Sequence, residues 1–424
     1  MKKIWIYRFA LFIMLFGLSS LSYGGNYDNP FVSILLNVLV NLSPLISILI
    51  FVPAFFRLPG LYKIIAWAIV LGVILLVLES KYEYNQWVYS YFVIKRFAYC
   101  GLALAAYCIA SRAEPLTIRH AVNFVFIFFF INQILIGRIF RYDFSSETRT
   151  TLAEDAYYFV IPFLYYLIRY LKEHRLTHLF IALFSFLFII AMLHRTVISA
   201  AVVGAGMIGA LLLLGKVSTG GLPTSRTLAV FALLIAIASP FTGLLPEKKA
   251  DAVLTNIGGI LSPKQDNTGS WRLEQAEHYM KLVPDKPLFG WRYEGYDRGE
   301  IMENEDFPDK GTIIHSHYVD MLFNYGAFGM LLNLALILGA LVALYRSGHT
   351  LSTDHLVLFG FITSGLVFSV SYQLPVYYWA FVGVGMHLGL KRPPVYFTTP
   401  EPTEEVTEYD ADSSVLLSKN HTYS

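Results

Sequence analysis

Apolar runs long enough to cross a bilayer recur from one end of this chain almost to the other. Crossing about 30 Å of hydrocarbon as helix takes about 20 residues. Candidate spans lie at 4–23, 31–55, 61–78, 88–110, 118–138, 153–171, 176–193, 196–215, 226–244, 316–345, 354–371 and 374–390. The first follows Lys2 and Lys3 and reads as a retained signal anchor. Composition agrees: 56% of the 424 residues are hydrophobic and only 15% charged. Soluble domains carry about 25% charged residues, and a soluble chain this apolar could not cover its surface with polar groups. Soluble enzymes and disordered proteins are excluded. A net charge of +2 gives no reason to expect nucleic acid as a partner. Cys100 and Cys108 share one apolar stretch, which excludes a disulfide framework or a thiolate zinc site and suits helix packing.

The expected fold is all-α, a polytopic bundle of about twelve transmembrane helices. Nine fall in 1–244 and three in 315–390, with a long loop at 245–314 and a tail at 391–424. With an inside N-terminus, the inside segments hold Lys2, Lys3, Arg57, Lys63, Arg112, Arg119, Arg169, Lys172, Arg175, Lys216, Arg226, Arg346, Lys391 and Arg392. The short outside loops hold Lys81, Arg138, Arg141, Arg149 and Arg195. That bias puts both termini in the cytoplasm and the long loop outside. The loop is too long for a bare connection and reads as a small, partly helical cap. Within it, Ser270–Val283 has helical spacing, with Ser270 as N-cap and Pro284 as terminator. The acidic, proline-containing tail reads as disordered.

No phosphate loop, HExxH, Cys/His metal set or GxSxG elbow is present in the sequence, so neither metal nor cofactor is expected. The polar residues of interest gather around the long loop. Arg195 stands where one span turns into the next; it suits a clamp on an anion, or snorkelling to headgroups. Arg272 falls in the first turn of the expected loop helix. There a bound anion would relieve its conflict with the helix dipole, as would a pair with Glu274 or Asp266. His315 and His317 open the tenth span. Either they are ordinary interfacial histidines or one is a general base kept neutral by the helix N-terminus. Arg292 follows the turn Pro287-Leu288-Phe289-Gly290-Trp291 and is a weaker candidate. Lys95 and Arg96 interrupt the fourth span, where intramembrane charge points to function unless it snorkels.

These outer motifs, in this order, resemble the O-antigen ligase/polymerase superfamily of bacterial inner-membrane proteins. The likeness rests on Arg195-Thr196 opening a helix, Gly269-Ser270-Trp271-Arg272, Pro287-Leu288-Phe289-Gly290, His315-Ser316-His317-Tyr318, and Tyr325-Gly326-Ala327-Phe328-Gly329. It covers roughly 180–345. The pattern departs at Ser316, where members often carry Asn, and at Arg292, which replaces the second Gly of the usual Pro-Leu-Phe-Gly-x-Gly. The resemblance implies a metal-independent glycosyltransferase on the periplasmic face of the inner membrane. Its donor would be a polyprenyl-diphosphate-linked glycan and its acceptor lipid A-core or another glycan. His315, Arg272 and Arg195 would then be catalytic, with Arg292, His317 and Trp271 binding substrate. A transporter or flippase would instead place charges deep in several helices, and a structural scaffold would leave the Arg/His cluster unexplained.

Overall fold

The computed structural model describes residues 2–17, 58–113, 118–135, 152–218, 267–297 and 314–391. The expected spans at 31–55 and 226–244, most of the flanks of the long loop, and the tail from 392 lie outside the described residues.

Every element among the described residues is helical, as hydrocarbon demands of a backbone that must pair its own polar groups. We number the α-helices in chain order. They are α1 (Lys2–Phe12), α2 (Gly60–Tyr84), α3 (Tyr91–Ala98), α4 (Gly101–Ala110), α5 (Ile118–Leu135), α6 (Ala153–Tyr157) and α7 (Val160–Glu173). There follow α8 (Leu176–Ala191), α9 (Arg195–Leu213), α10 (Asn267–Leu282), α11 (Arg292–Asp297), α12 (His317–Arg346), α13 (Thr353–Ser371) and α14 (Val376–Leu390). By length and apolarity α2, α9, α12 and α13 can each cross a membrane, and α3 with α4 forms a fifth, bent candidate. Four or five of the expected crossings are therefore long and apolar enough among the described residues, with shorter apolar helices beside them.

The fourth expected span is not one helix. It breaks between α3 and α4 with a bend of 48°. The break follows Arg96, whose Nη1 donates to Asp320 Oδ1 on α12 at 2.5 Å. A guanidinium among apolar helices needs such a partner, and the short α3 brings it there. The sixth expected span likewise divides into α6 and α7 around Tyr158 and Phe159. Helix α14 is only 15 residues long, but it is apolar on nearly every side and enclosed, with Tyr377, Tyr378, Trp379 and Phe381 all buried. That is the pattern of a helix in the middle of a bundle.

Helices α9 and α13 run antiparallel. Gly204 of α9 lies against Gly360 and Ser364 of α13, and the Leu351 N–H donates to the Lys216 carbonyl at 2.9 Å beyond their other ends. Arg195, the first residue of α9, therefore lies at the same edge of the bundle as Tyr372, which follows α13. This is also the edge where α12 begins and where α10 and α11 pack. Tyr279, Trp291, Ile314, Val319 and Phe323 form a small apolar cluster that fastens α10 to the start of α12.

The loop between α10 and α11 docks on α12 backbone to backbone. The Trp291 N–H donates to Phe323 O at 2.8 Å, Ala327 N–H to Pro287 O at 2.8 Å, and Phe328 N–H to Leu288 O at 3.0 Å. Gly326 interrupts α12 with a φ of 62°, and Gly290 has a φ of 68°. A Cβ on either glycine would fall 2.4 Å from the backbone of the other segment. Two sequence motifs thus form one interlock. Both glycines are required by left-handed backbone and by contact too close for a side chain.

Candidate functional site

Helix α10 starts at Asn267, three residues before the expected Ser270, and ends at Leu282, where a tight turn over Val283–Asp285 carries Pro284. Ser270 is consequently inside the helix rather than its cap. Arg272 stands in the second turn, where its N–H lies within the helical ladder. The expected cradle of free backbone N–H groups is not at Arg272; what this residue offers is its guanidinium.

That guanidinium lies 4.5 Å from the centre of the Tyr372 ring, and its Nη2 donates to Tyr372 Oη at 3.2 Å. Its Nε is buried without a hydrogen-bond partner. Next to Arg272 in the chain, Trp271 sets its ring edge-on to the His315 imidazole, with centroids 4.9 Å apart. Three of the expected residues, Arg272, Trp271 and His315, are therefore together.

His315 precedes α12 rather than opening it, since Ser316 is the helix's N-cap residue. Its backbone N–H donates to Gln275 Oε1 on α10 at 3.1 Å. Burial, and then the adjacent Arg272 charge, push the imidazole down to about 4. The ring is accordingly neutral near pH 7, but the main cause is burial beside a cation rather than a helix dipole. Its Nδ1 is buried and lacks a hydrogen-bond partner. An unmatched guanidinium donor and an unmatched imidazole nitrogen thus share one half-enclosed place. Unmatched buried polar atoms are rare enough to call for an explanation.

His317 takes a different position. It is buried, with Nδ1 3.1 Å from Gln373 Oε1 and Nε2 3.3 Å from Asn333 Oδ1. Gln373 also donates through Nε2 to the Ile314 carbonyl at 2.6 Å. The segment carrying His315 is therefore held by Gln275 from α10 and by Gln373 from the turn before α14. One turn into α12, Asp320 is fully buried and bonded to Arg96 and to the Asn324 side-chain amide at 2.9 Å.

Arg195 is half-buried at the same edge. Arg292 faces other neighbours: its Nε lies 2.7 Å from Glu79 Oε2 on α2. Lys95 stays near the rings of Tyr91, Phe92 and Tyr99, the arrangement expected of a snorkelling cation.

Sequence reasoning missed Gln275, Gln373 and Asp320. Glutamines in loops and helices carry no local signal. Asp320 did offer one, as a lone carboxylate inside an apolar span.

No curated protein matches the chain. Residues 179–334 match a family model described as O-antigen ligase. That stretch runs from α8 into α12 and takes in Arg195, Arg272 and His315. Over that stretch, a little more than a third of its length, the chain is similar to the O-antigen ligase family.

Proposed function

We propose that this protein transfers a glycan from a polyprenyl-diphosphate carrier to an acceptor hydroxyl, as an O-antigen ligase acting on lipid A-core. The observation that supports this best is the juxtaposition of Arg272, whose Nε is unmatched, with the neutral His315. In this reading Arg272 and Arg195 hold the diphosphate. The neutral imidazole of His315 takes the acceptor hydroxyl's proton. The acceptor oxygen then bonds to the sugar's anomeric carbon as its bond to the diphosphate oxygen breaks. The electron pair leaves with the polyprenyl diphosphate, whose charge the arginines stabilise. Trp271 offers an aromatic wall for a sugar, and His317 holds the start of α12. No metal is assigned a part in this chemistry.

The same reading places the cap edge in the periplasm and the N- and C-termini in the cytoplasm, with about twelve crossings of the inner membrane. Lys172, Lys216, Arg346 and Lys391 all stand at the opposite edge, which suits a cytoplasmic face. A repeat-unit polymerase would use the same site on a glycan acceptor. Deleting the gene and displaying the glycans on a gel separates these. Bare core with long lipid-linked chains supports the ligase, single repeat units on core indicate the polymerase, and an unchanged profile would reject both.

A further inference from the structure

Beside the interlock, α2, α3 and α12 leave a groove of about 540 Å³. That lies within the roughly 300–1,000 Å³ of ordinary ligand sites. Leu71, Leu75 and Leu76 of α2 form one wall, with Phe97, Phe289 and Phe328 opposite. Leu71, Leu75 and Phe289 are exposed, so a hydrocarbon chain can enter from the side. The polar end carries Glu79, Glu83 and Arg292.

Arg292 is held in an unfavourable backbone state. Its φ is 47°, in the left-handed region that costs a side-chain-bearing residue roughly 1–2 kcal/mol. Glycine would sit there without strain. What the arginine adds is a guanidinium at the groove's end, bonded to Glu79 at 2.7 Å and aimed at the Phe289 carbonyl at 3.4 Å. Nearby, Lys286 and Glu294 neutralise one another as a pair.

We propose that this groove binds a zwitterionic phospholipid with an ethanolamine head. An acyl chain fills the apolar wall, the phosphate meets Arg292, and the ammonium meets Glu83. Two carboxylates facing one guanidinium match a head that carries both signs. They repel lipids with only negative charge, including the polyprenyl diphosphate proposed for the Arg272 site. The site is thus separate from the transfer chemistry and does not depend on it.

The test is native mass spectrometry of the full chain in mild detergent, with equal amounts of phosphatidylethanolamine and phosphatidylglycerol. Polyprenyl phosphate serves as competitor. Phosphatidylethanolamine should be retained over phosphatidylglycerol by about tenfold, the worth of one charge-assisted hydrogen bond. Both Arg292→Gly and the groove-filling Leu75→Trp should lower that retention by a similar factor. Arg292→Gly relieves the backbone, so a melting temperature no lower than wild type shows that its loss of lipid is not unfolding. Equal or better retention of phosphatidylglycerol, displacement by polyprenyl phosphate, or unchanged retention in both variants would overturn the proposal.

Discussion

The two edges of the bundle use their cations in opposite ways. At the far edge, Lys172 Nζ donates to the Leu351 carbonyl at 2.9 Å, and Lys216 Nζ to the Gly348 carbonyl at 2.9 Å. Arg169 pairs with Glu173 one turn along the same helix, with Nε 2.6 Å from Oε1. Each cation there stands near a helix end or a carbonyl that would attract it in any case. At the cap edge, Arg272 stacks on Tyr372 with its Nε unmatched, beside a histidine kept neutral by burial and, second, by the Arg272 charge. Helix-end electrostatics explain the first edge. They leave the second unexplained, and an anionic ligand would supply what Arg272 lacks.

The contrast breaks most readily at the cap edge. His315→Ala should lower transfer by about 10²–10⁴, and Arg272→Ala or Arg195→Ala by about 10²–10³, measured with purified variants and a lipid-linked donor. Binding of the donor should survive in His315→Ala and weaken in Arg272→Ala. Wild-type transfer in all three would show that the cap edge is as ordinary as the far one.

Asp320→Ala leaves Arg96 without its buried partner and should cost about 3–5 kcal/mol in denaturation experiments. Replacing both, as Asp320→Leu with Arg96→Met, should cost far less than the two single changes together, because no uncompensated charge then remains.

The acid response comes third. An unfolded histidine takes up its proton near 6.5, whereas His315 in the fold holds out to about 4. Between those values the unfolded chain binds more protons, so His315's share of stability is complete above the unfolded value and declines as pH falls towards 4. Nuclear magnetic resonance of labelled histidine should show His315 titrating well below 6.5 in the wild type. Arg272→Gln should move it upward but not all the way, since burial is the larger cause. A wild-type value at 6.5 would remove the special character of this edge.

At the far edge the effects should be small. Arg169→Ala removes a partly exposed ion pair, typically worth about 0–1 kcal/mol, and should leave transfer at the wild-type rate. A large loss of transfer there would mean that the two edges are coupled.

That the chain folds as apolar helices was legible in the sequence, because run length and apolarity are local properties and hydrocarbon leaves a lone segment no alternative to helix, but the breaks in the fourth and sixth expected spans were not. The sequence also placed a helix just before Pro284 in the long loop, and singled out Arg272 and His315, which the fold brings together. It could not place the helix start, since Ser270 is a good capping residue yet α10 begins three residues earlier, at Asn267. Tertiary packing alone brings Arg96 to Asp320, 224 residues away, and bends the chain after α3. It alone showed that Pro287–Gly290 and Tyr325–Gly329 are two halves of one interlock, and that Gln275 and Gln373 hold the segment bearing His315. Those pairings depend on which helices become neighbours. No periodicity within a span carries that information, because a lipid-facing and a helix-facing apolar residue read alike.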